Sequence, residues 1–232
     1  MTTFAKKNVN KIPLLESGDR LTRHEFEGRY TAMPDNRKAE LIEGIVYMAS
    51  PLRLRSHGEP HGNLILWLGT YKVTIPGLIL GDNSTVRLDL DNEPQPDVVL
   101  LIDEKLGGQA RISEDDYIEG APELVAEVAA STASNDLHDK KNAYRRNSVL
   151  EYIVWQVFEN KLDCFYLQDG KYLSLEPDAE GIIKSKIFPG LWLAASALLT
   201  GEMNQVLKVL QQGLNSPEHT EFVKQLSTKN QH

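Results

Sequence analysis

Two short apolar runs, each with one carboxylate, constrain the fold of this chain more than any other feature. Asp97 begins the run 97–102, and Glu127 lies inside the run 124–129. Runs of this length without polar alternation are typical of strands buried on both faces of a sheet. An ionised carboxylate at such a position costs several kcal/mol unless it is paired or metal-bound. The sequence therefore predicts a buried sheet that contains two acids.

Each carboxylate also has an ordinary structural interpretation. Asp97 fits a cap at the edge of a strand, and Glu127 fits a strand with one solvated face. If the two strands are neighbours, however, both carboxylates face one point. Two carboxylate ligands completed by water molecules suit Mg²⁺ or Mn²⁺.

The rest of the pattern alternates between helices and strands. Thr22 with Glu25 three residues later predicts a capped helix start, and Glu43-Gly44 predicts a turn between two strands. A hairpin is expected at Gln168-Asp169-Gly170. Helices are expected over residues 57–73, 134–147 and 193–214. Together these elements predict an α/β (α+β) class with a mixed sheet flanked by helices.

The length and composition suit one soluble domain with appendages. The chain has 232 residues, and we expect a flexible N-terminal leader over 1–20, the domain over 21–200, and a C-terminal helix and polar tail over 201–232. No apolar run reaches the roughly 18 residues of a membrane span, and no secretory signal is visible. The single cysteine, Cys164, excludes an internal disulfide and is expected in the core. We therefore expect a cytoplasmic protein without a membrane partner.

The charge balance limits how this chain could bind nucleic acid. Its net charge of −8 argues against a broad basic surface. It does not exclude a nuclease, because such enzymes concentrate carboxylates at the site and take positive charge from a metal ion.

A lysine and a third acid are candidates to join the two carboxylates. Lys140 shares a helix face with Leu137 and Tyr144, so it is expected to point towards the sheet, whereas Lys141 is expected to point elsewhere. Lys140 could form a structural salt bridge, or it could orient a water molecule or hold a phosphate. Glu40 could reach the same cleft, although a surface position is the simpler interpretation.

Histidine and arginine residues add weaker candidates. His57 could contact a phosphate or a metal-bound water, or it could be purely structural. A metal site made by His57 and His61 lacks any surrounding zinc motif. Arg145-Arg146 could contact a backbone phosphate, but positive charge at a helix end is the interpretation we favour.

The order of these motifs resembles the PD-(D/E)XK nuclease superfamily, and more closely the Uma2 (Uma-two) family of restriction endonuclease-like proteins. The resemblance extends over about residues 20 to 200. The motifs that carry it are, in chain order, Glu40-Leu41-Ile42-Glu43-Gly44, Ser50-Pro51, Pro96-Asp97-Val98, the run 122–128, Glu151-Tyr152-Ile153-Val154 and Phe188-Pro189-Gly190-Leu191. Each motif alone is weak, and the ordered set carries the specificity.

The resemblance implies a restriction-endonuclease-like core and a set of site residues. Asp97, Glu127 and the backbone carbonyl of Val128 would ligate Mg²⁺ or Mn²⁺, with Glu40 beside the ion. The superfamily places a lysine two residues after the second acid, where this chain has Ala129. The resembling family often supplies that lysine from the following helix, which implies Lys140, with Lys141 as the fallback.

The leading hypothesis is Mg²⁺-dependent hydrolysis of DNA phosphodiester bonds by Asp97, Glu127 and Lys140, with Glu40 as a further site residue. A catalytically inactive nucleic-acid-binding or interaction module that keeps the fold is the alternative, motivated by the negative charge and by Ala129. A hydrolase of small phosphate esters is a third. A homodimer is expected because Trp192 and the apolar segment 191–199 offer more apolar surface than one domain is expected to cover.

Overall fold

The computed structural model describes residues 12–34, 37–130 and 136–229. Residues 1–11 of the predicted leader and residues 134–135 at the start of the predicted third helix lie outside these ranges. The α-helices are α1 Arg23–Thr31, α2 Glu59–Lys72, α3 Lys141–Arg146, α4 Ala195–Thr200, α5 Met203–Leu214 and α6 Pro217–Lys229. The strands are β1 Ala39–Ile42, β2 Ile45–Met48, β3 Leu78–Asp82, β4 Val86–Arg87, β5 Val98–Ile102, β6 Arg111–Ile112, β7 Ile118–Glu119, β8 Leu124–Ala129, β9 Glu151–Gln156, β10 Lys161–Gln168, β11 Lys171–Ser174, β12 Ile182–Lys184 and β13 Trp192–Ala194.

A six-stranded sheet in the order β11-β10-β9-β8-β5-β3 forms the centre of the molecule. The strand β8 pairs antiparallel with β5 and parallel with β9, so the sheet is mixed as predicted. Every residue of β8 is buried, which confirms the prediction of a strand covered on both faces. The mixed sheet with flanking helices is the predicted fold class.

The two faces of the sheet support two separate cores because side chains alternate along each strand. Ala126 and Val128 face the core that lies under α2 and α5, together with Leu64 and Tyr71. Val125 and Ala129 face the other core, which contains Tyr144 of α3. Glu127 lies between Val125 and Ala129 on the α3 side of the strand, so any partner for its carboxylate has to come from that side.

A small hairpin made by β1 and β2 stands beside this sheet. Its turn has positive φ angles at Glu43 and Gly44, as the sequence predicts. The hairpin is tied to the segment before β5, because the backbone of Leu41 and that of Glu93 exchange two hydrogen bonds of 3.1 and 2.7 Å. This pairing fixes β1, and therefore Glu40, close to the start of β5.

The C-terminal part differs from the single helix and polar tail that the sequence predicts. Residues 192–194 pair with β12 instead of starting a helix. The first helix, α4, ends at Gly201, whose φ of +77° is the left-handed conformation that terminates helices. The expected tail forms α6, which buries His219 and Leu226. Sequence periodicity misses these breaks because they depend on strand pairing and packing between distant segments.

The apolar segment expected to support a dimer is covered within the chain itself. Leu191, Leu193 and Leu198 are all 1% exposed or less. The backbone carbonyl of Trp192 accepts a hydrogen bond of 3.0 Å from the indole of Trp67. The argument for a dimer from uncovered apolar surface is therefore wrong, and the dimer itself stays a prediction. None of the helices in the described ranges is long and apolar enough to cross a membrane.

Close backbone contact between α5 and the loop before β13 gives a test of this packing. A Cβ atom at Gly213 would lie 2.2 Å from the carbonyl oxygen of Gly190, whereas one at Gly28 in α1 would meet nothing within 4 Å. We expect Gly213→Ala to lower the free energy of unfolding by about 1–3 kcal/mol through overpacking. Gly28→Ala should raise it by up to about 1 kcal/mol through helix propensity. Urea unfolding of both variants measures the two free energies of unfolding. Equal changes of the same sign in the two variants would contradict this packing.

Candidate active site

The pairing of β5 with β8 brings Asp97 and Glu127 together. The Asp97 backbone N–H donates to Glu127 Oε2 at 3.3 Å. In return, the N–H of Val128 donates to Asp97 Oδ2 at 2.7 Å. Both acids are buried, with exposed fractions of 8% for Asp97 and 3% for Glu127. The structure therefore joins the two acids at one point of the sheet, and neither the solvated-strand nor the simple-cap interpretation describes them.

Lys140 reaches Glu127 from the segment that follows β8. Its Nζ atom lies 3.0 Å from Glu127 Oε1, 3.0 Å from Glu40 Oε1 and 3.6 Å from Asp136 Oδ1. The lysine ends a π-helical turn, Asp136–Lys140, that leads into α3. Lys141 points away, with its Nζ 3.4 Å from the centre of the Phe165 ring. Lys140, and not Lys141, is the lysine of the cluster.

Glu40 belongs to the cluster and is not a surface residue of the hairpin. Besides the contact with Lys140, its Oε1 accepts a hydrogen bond of 2.6 Å from the backbone N–H of Gln95. Gln95 lies two residues before Asp97, so the segment that positions Asp97 also holds Glu40. The four predicted side chains, Glu40, Asp97, Glu127 and Lys140, thus converge.

Tyr144 and Asp136 complete the cluster, and the sequence analysis missed both roles. The Tyr144 hydroxyl donates to Glu127 Oε1 at 2.9 Å. Asp136 is 2% exposed. They flank Lys140 at spacings of four residues in each direction, which places all three on one side of the turn. That spacing was visible in the sequence and could have identified Asp136 as a fourth acid.

The charges of this cluster do not balance. Four acids, Glu40, Asp97, Glu127 and Asp136, surround the single ammonium group of Lys140. Burial raises the pKa of the Glu127 carboxyl well above its usual range. The charge of Lys140 acts to lower this pKa, and the neighbouring carboxylates raise it further. Burial acts to lower the pKa of Lys140, but the surrounding carboxylates outweigh it and raise that pKa, so the lysine stays charged. The excess negative charge favours a further cation.

His57 is the direct partner of Asp97. Its Nε2 atom lies 3.0 Å from Asp97 Oδ1, and the histidine is 8% exposed. Burial acts to raise the pKa of Asp97, but the hydrogen bond and charge of His57 outweigh it, so that this pKa is lowered. His61 does not join His57 on a shared metal, because its Nε2 contacts the Asp97 carbonyl at 3.1 Å and Asp82 Oδ1 at 3.2 Å.

Two weaker candidates have structural partners. Arg146 forms an ion pair of 2.7 Å with Glu43, and Arg145 donates to the Gly170 carbonyl at 3.0 Å. Neither contacts the acids. Cys164 is 5% exposed and belongs to the core, as expected.

The donor set fits a divalent ion that keeps several waters. In the described ranges, no three His, Cys, Asp or Glu side chains are already arranged to hold a metal. Mg²⁺ needs only one or two carboxylates, and each carboxylate accepts more hydrogen bonds or ligands than Asp97 and Glu127 use here. The Ala129 carbonyl accepts a hydrogen bond of 3.0 Å from the backbone N–H of Val157, the residue that follows β9. Because carbonyl directions alternate along a strand, the Val128 carbonyl faces the Asp97 side.

Comparison with known proteins identifies the family. A family model, Uma2, described as "Putative restriction endonuclease", matches residues 24–196. The chain belongs to the Uma2 family. A crystal structure of a "putative nuclease belonging to DUF820" from Anabaena variabilis is similar in fold, with a TM-score of 0.53 and 13% sequence identity, over 82% of this chain and 99% of that chain. The comparison with curated proteins gave no match.

The pattern used in the sequence analysis has a lysine two residues after the second acid, and this Uma2 chain has Ala129 there. Ala129 is fully buried on the same face of β8 as Glu127. Because alanine carries no charged group, any cation beside Glu127 has to come from outside the strand. Lys140 fills that position with its ammonium group, as the family resemblance implies.

The Tyr144 hydroxyl provides a test of the charged cluster. Tyr144→Phe removes a donor to a buried carboxylate, so we expect a loss of about 1.5–3 kcal/mol in the free energy of unfolding. Tyr172→Phe is the matched control, because its hydroxyl donates at 2.9 Å to the neutral carbonyl of Val149. That loss should be about 1 kcal/mol. Chemical denaturation compares the two, and a smaller loss at Tyr144 than at Tyr172 would contradict a stabilising role for the hydrogen bond to Glu127.

Proposed function

We propose that this chain is a divalent-metal-dependent endonuclease that hydrolyses DNA phosphodiester bonds. The observation that carries the proposal is the placement of Lys140 Nζ at 3.0 Å from Glu127, beside Asp97, in a cluster with more acids than bases. The family description supports a nuclease at the coarser level. Two adjacent buried acids that can hold a metal ion and a lysine that can stabilise developing charge suit phosphodiester hydrolysis.

Asp97, Glu127 and the Val128 carbonyl would hold Mg²⁺ or Mn²⁺. When bound, the ion would supply Lewis-acid stabilisation of the scissile phosphate and would lower the pKa of water in the site. His57 holds the Asp97 carboxylate in place through one oxygen, and Val128 N–H does so through the other. Tyr144 performs the same positioning for Glu127.

Lys140 would act directly on the reacting atoms. Its ammonium group can orient the attacking water and stabilise the negative charge that develops on the phosphoryl oxygens. Glu40 holds one side of that ammonium group and Glu127 holds the other, each at 3.0 Å. The lysine is therefore positioned before substrate arrives, which is the condition for electrostatic stabilisation without reorganisation.

The cost of the cluster argues against the inactive alternative. Buried acids that outnumber their cationic partners destabilise a fold, and apolar replacements are often neutral or stabilising. A module that had lost its chemistry would gain stability by losing these groups. The cluster retains all four acids together with the lysine, which supports a working site.

Metal binding tests the two proposed ligands without knowledge of the substrate. We expect wild-type protein to bind Mn²⁺ in a calorimetric titration. Glu127→Gln should weaken that binding by more than about 100-fold, because even residues that only support a ligand contribute 10- to 100-fold. Glu123→Gln is the control, since Glu123 is a buried acid just before β8 whose oxygens accept from the N–H groups of Ile102 and Gln109. Equal Mn²⁺ binding by both variants would contradict the site.

Lys140 should separate catalysis from metal binding. We expect Lys140→Ala to reduce the rate of plasmid cleavage in Mg²⁺ by about 10²–10³-fold, the usual loss for one charge-stabilising group. Its affinity for Mn²⁺ should stay equal or increase, because a positive charge 3.0 Å from Glu127 has been removed. A variant with unchanged cleavage would show that the lysine has only a structural role.

A further inference from the structure

Residues 51–55, here called the 51–55 loop, are an exposed segment that leads directly into the site, and its last two residues begin the π-helical turn Leu54–Gly58. The loop has the sequence Pro-Leu-Arg-Leu-Arg, and all five residues are exposed. Leu52 and Leu54, which are two residues apart, are 64% and 72% exposed. The loop therefore presents alternating apolar and basic side chains to solvent.

The backbone of this loop is anchored to the catalytic cluster. The Arg53 carbonyl accepts hydrogen bonds from the N–H groups of His57 and Gly58, at 3.0 and 3.1 Å. His57 in turn contacts Asp97. Only three residues separate Arg53 from His57, so the exposed side chains stand at the edge of the cluster. A ligand that covers the loop would also cover the acids.

Positive charge gathers around the loop in a chain that is otherwise acidic. Arg55 has a side chain that is 86% exposed and forms an ion pair of 3.1 Å with the exposed Glu59, a contact that contributes little and that a phosphate can replace. Lys38 is exposed, and its carbonyl accepts from the N–H of Ala49 at 3.0 Å, next to the start of the loop. Since the net charge is −8, any attraction for a polyanion has to be local.

We propose that the 51–55 loop is the surface that engages duplex DNA beside the site, an inference that rests on the proposed function. Arg53 and Arg55 contact phosphates on either side of the cleavage point. Leu52 and Leu54 enter the groove and wedge against a base step, as exposed apolar side chains do in proteins that bend DNA. These contacts hold the phosphodiester close to Asp97 and Glu127, although the negative charge of the acids repels it.

Binding in EDTA tests the arginines independently of cleavage. The probe is a fluorescein-labelled DNA duplex of mixed sequence, titrated at several salt concentrations. Arg53→Gln with Arg55→Gln should weaken binding and reduce the slope of log affinity against log salt by about two, one for each lost phosphate contact. Lys105→Gln with Lys224→Gln removes the same charge; Lys105 follows the opposite end of β5 from Asp97, and Lys224 lies in α6. This control should keep the wild-type slope.

Base stacking tests the leucines. Duplexes that carry 2-aminopurine at successive steps should gain fluorescence when the wild-type protein binds, because a wedge unstacks the base. Leu52→Ala with Leu54→Ala should lose this gain. Val73→Ala with Leu90→Ala, which trims side chains that are 76% and 74% exposed elsewhere, should keep it.

The outcomes separate this inference from the proposed function. If the arginine variant keeps the wild-type salt slope, or if the protein binds no duplex or prefers RNA, the loop assignment is wrong. A fluorescence gain that persists without the leucines overturns the wedge. Binding that depends on the loop, in a protein that cleaves no DNA with any divalent metal, supports the loop and contradicts the nuclease alone.

Discussion

The ion pair between Lys140 and Glu127 is the interaction on which the site depends. Both groups are buried, at 8% and 3% exposure, where an unpaired charge would cost several kcal/mol. The pair links the π-helical turn before α3 to β8, and Glu40 links the same ammonium group to the β1–β2 hairpin. One lysine therefore holds three separate parts of the chain around a common point. Removal of either partner would leave the other buried and uncompensated.

The sequence predicts Asp97, Glu127 and Lys140 as neighbours because burial of charge leaves a visible pattern. Asp97 and Glu127 stand out in apolar runs, and the spacing of Leu137, Lys140 and Tyr144 gives the direction of the lysine. The buried sheet followed from the same runs, and β8 is buried throughout. These features are local, so a short window of sequence contains them.

The contacts that the sequence did not predict depend on tertiary structure. His57 reaches Asp97 only because a π-helical turn, Leu54–Gly58, carries its ring back to the sheet. For Glu40, the residues alone favoured a surface position and only the family resemblance placed it at the site, because its partner, the Gln95 N–H, lies on a segment 55 residues later. The first C-terminal helix starts only at Ala195 because residues 192–194 pair with β12. No periodicity within one window encodes such pairs of distant residues.

The exchange of a strand lysine for a helix lysine changes how the site assembles. A lysine at position 129 would share the face of Glu127, since side chains two residues apart in a strand point the same way. It would then be positioned by the strand alone. Lys140 is positioned only when α3 packs on the sheet through Tyr144 and Tyr152, whose rings are 5.0 Å apart. The charged cluster is thus complete only in the fully packed domain, and any loosening of α3 removes the lysine and the Tyr144 donor from Glu127 together.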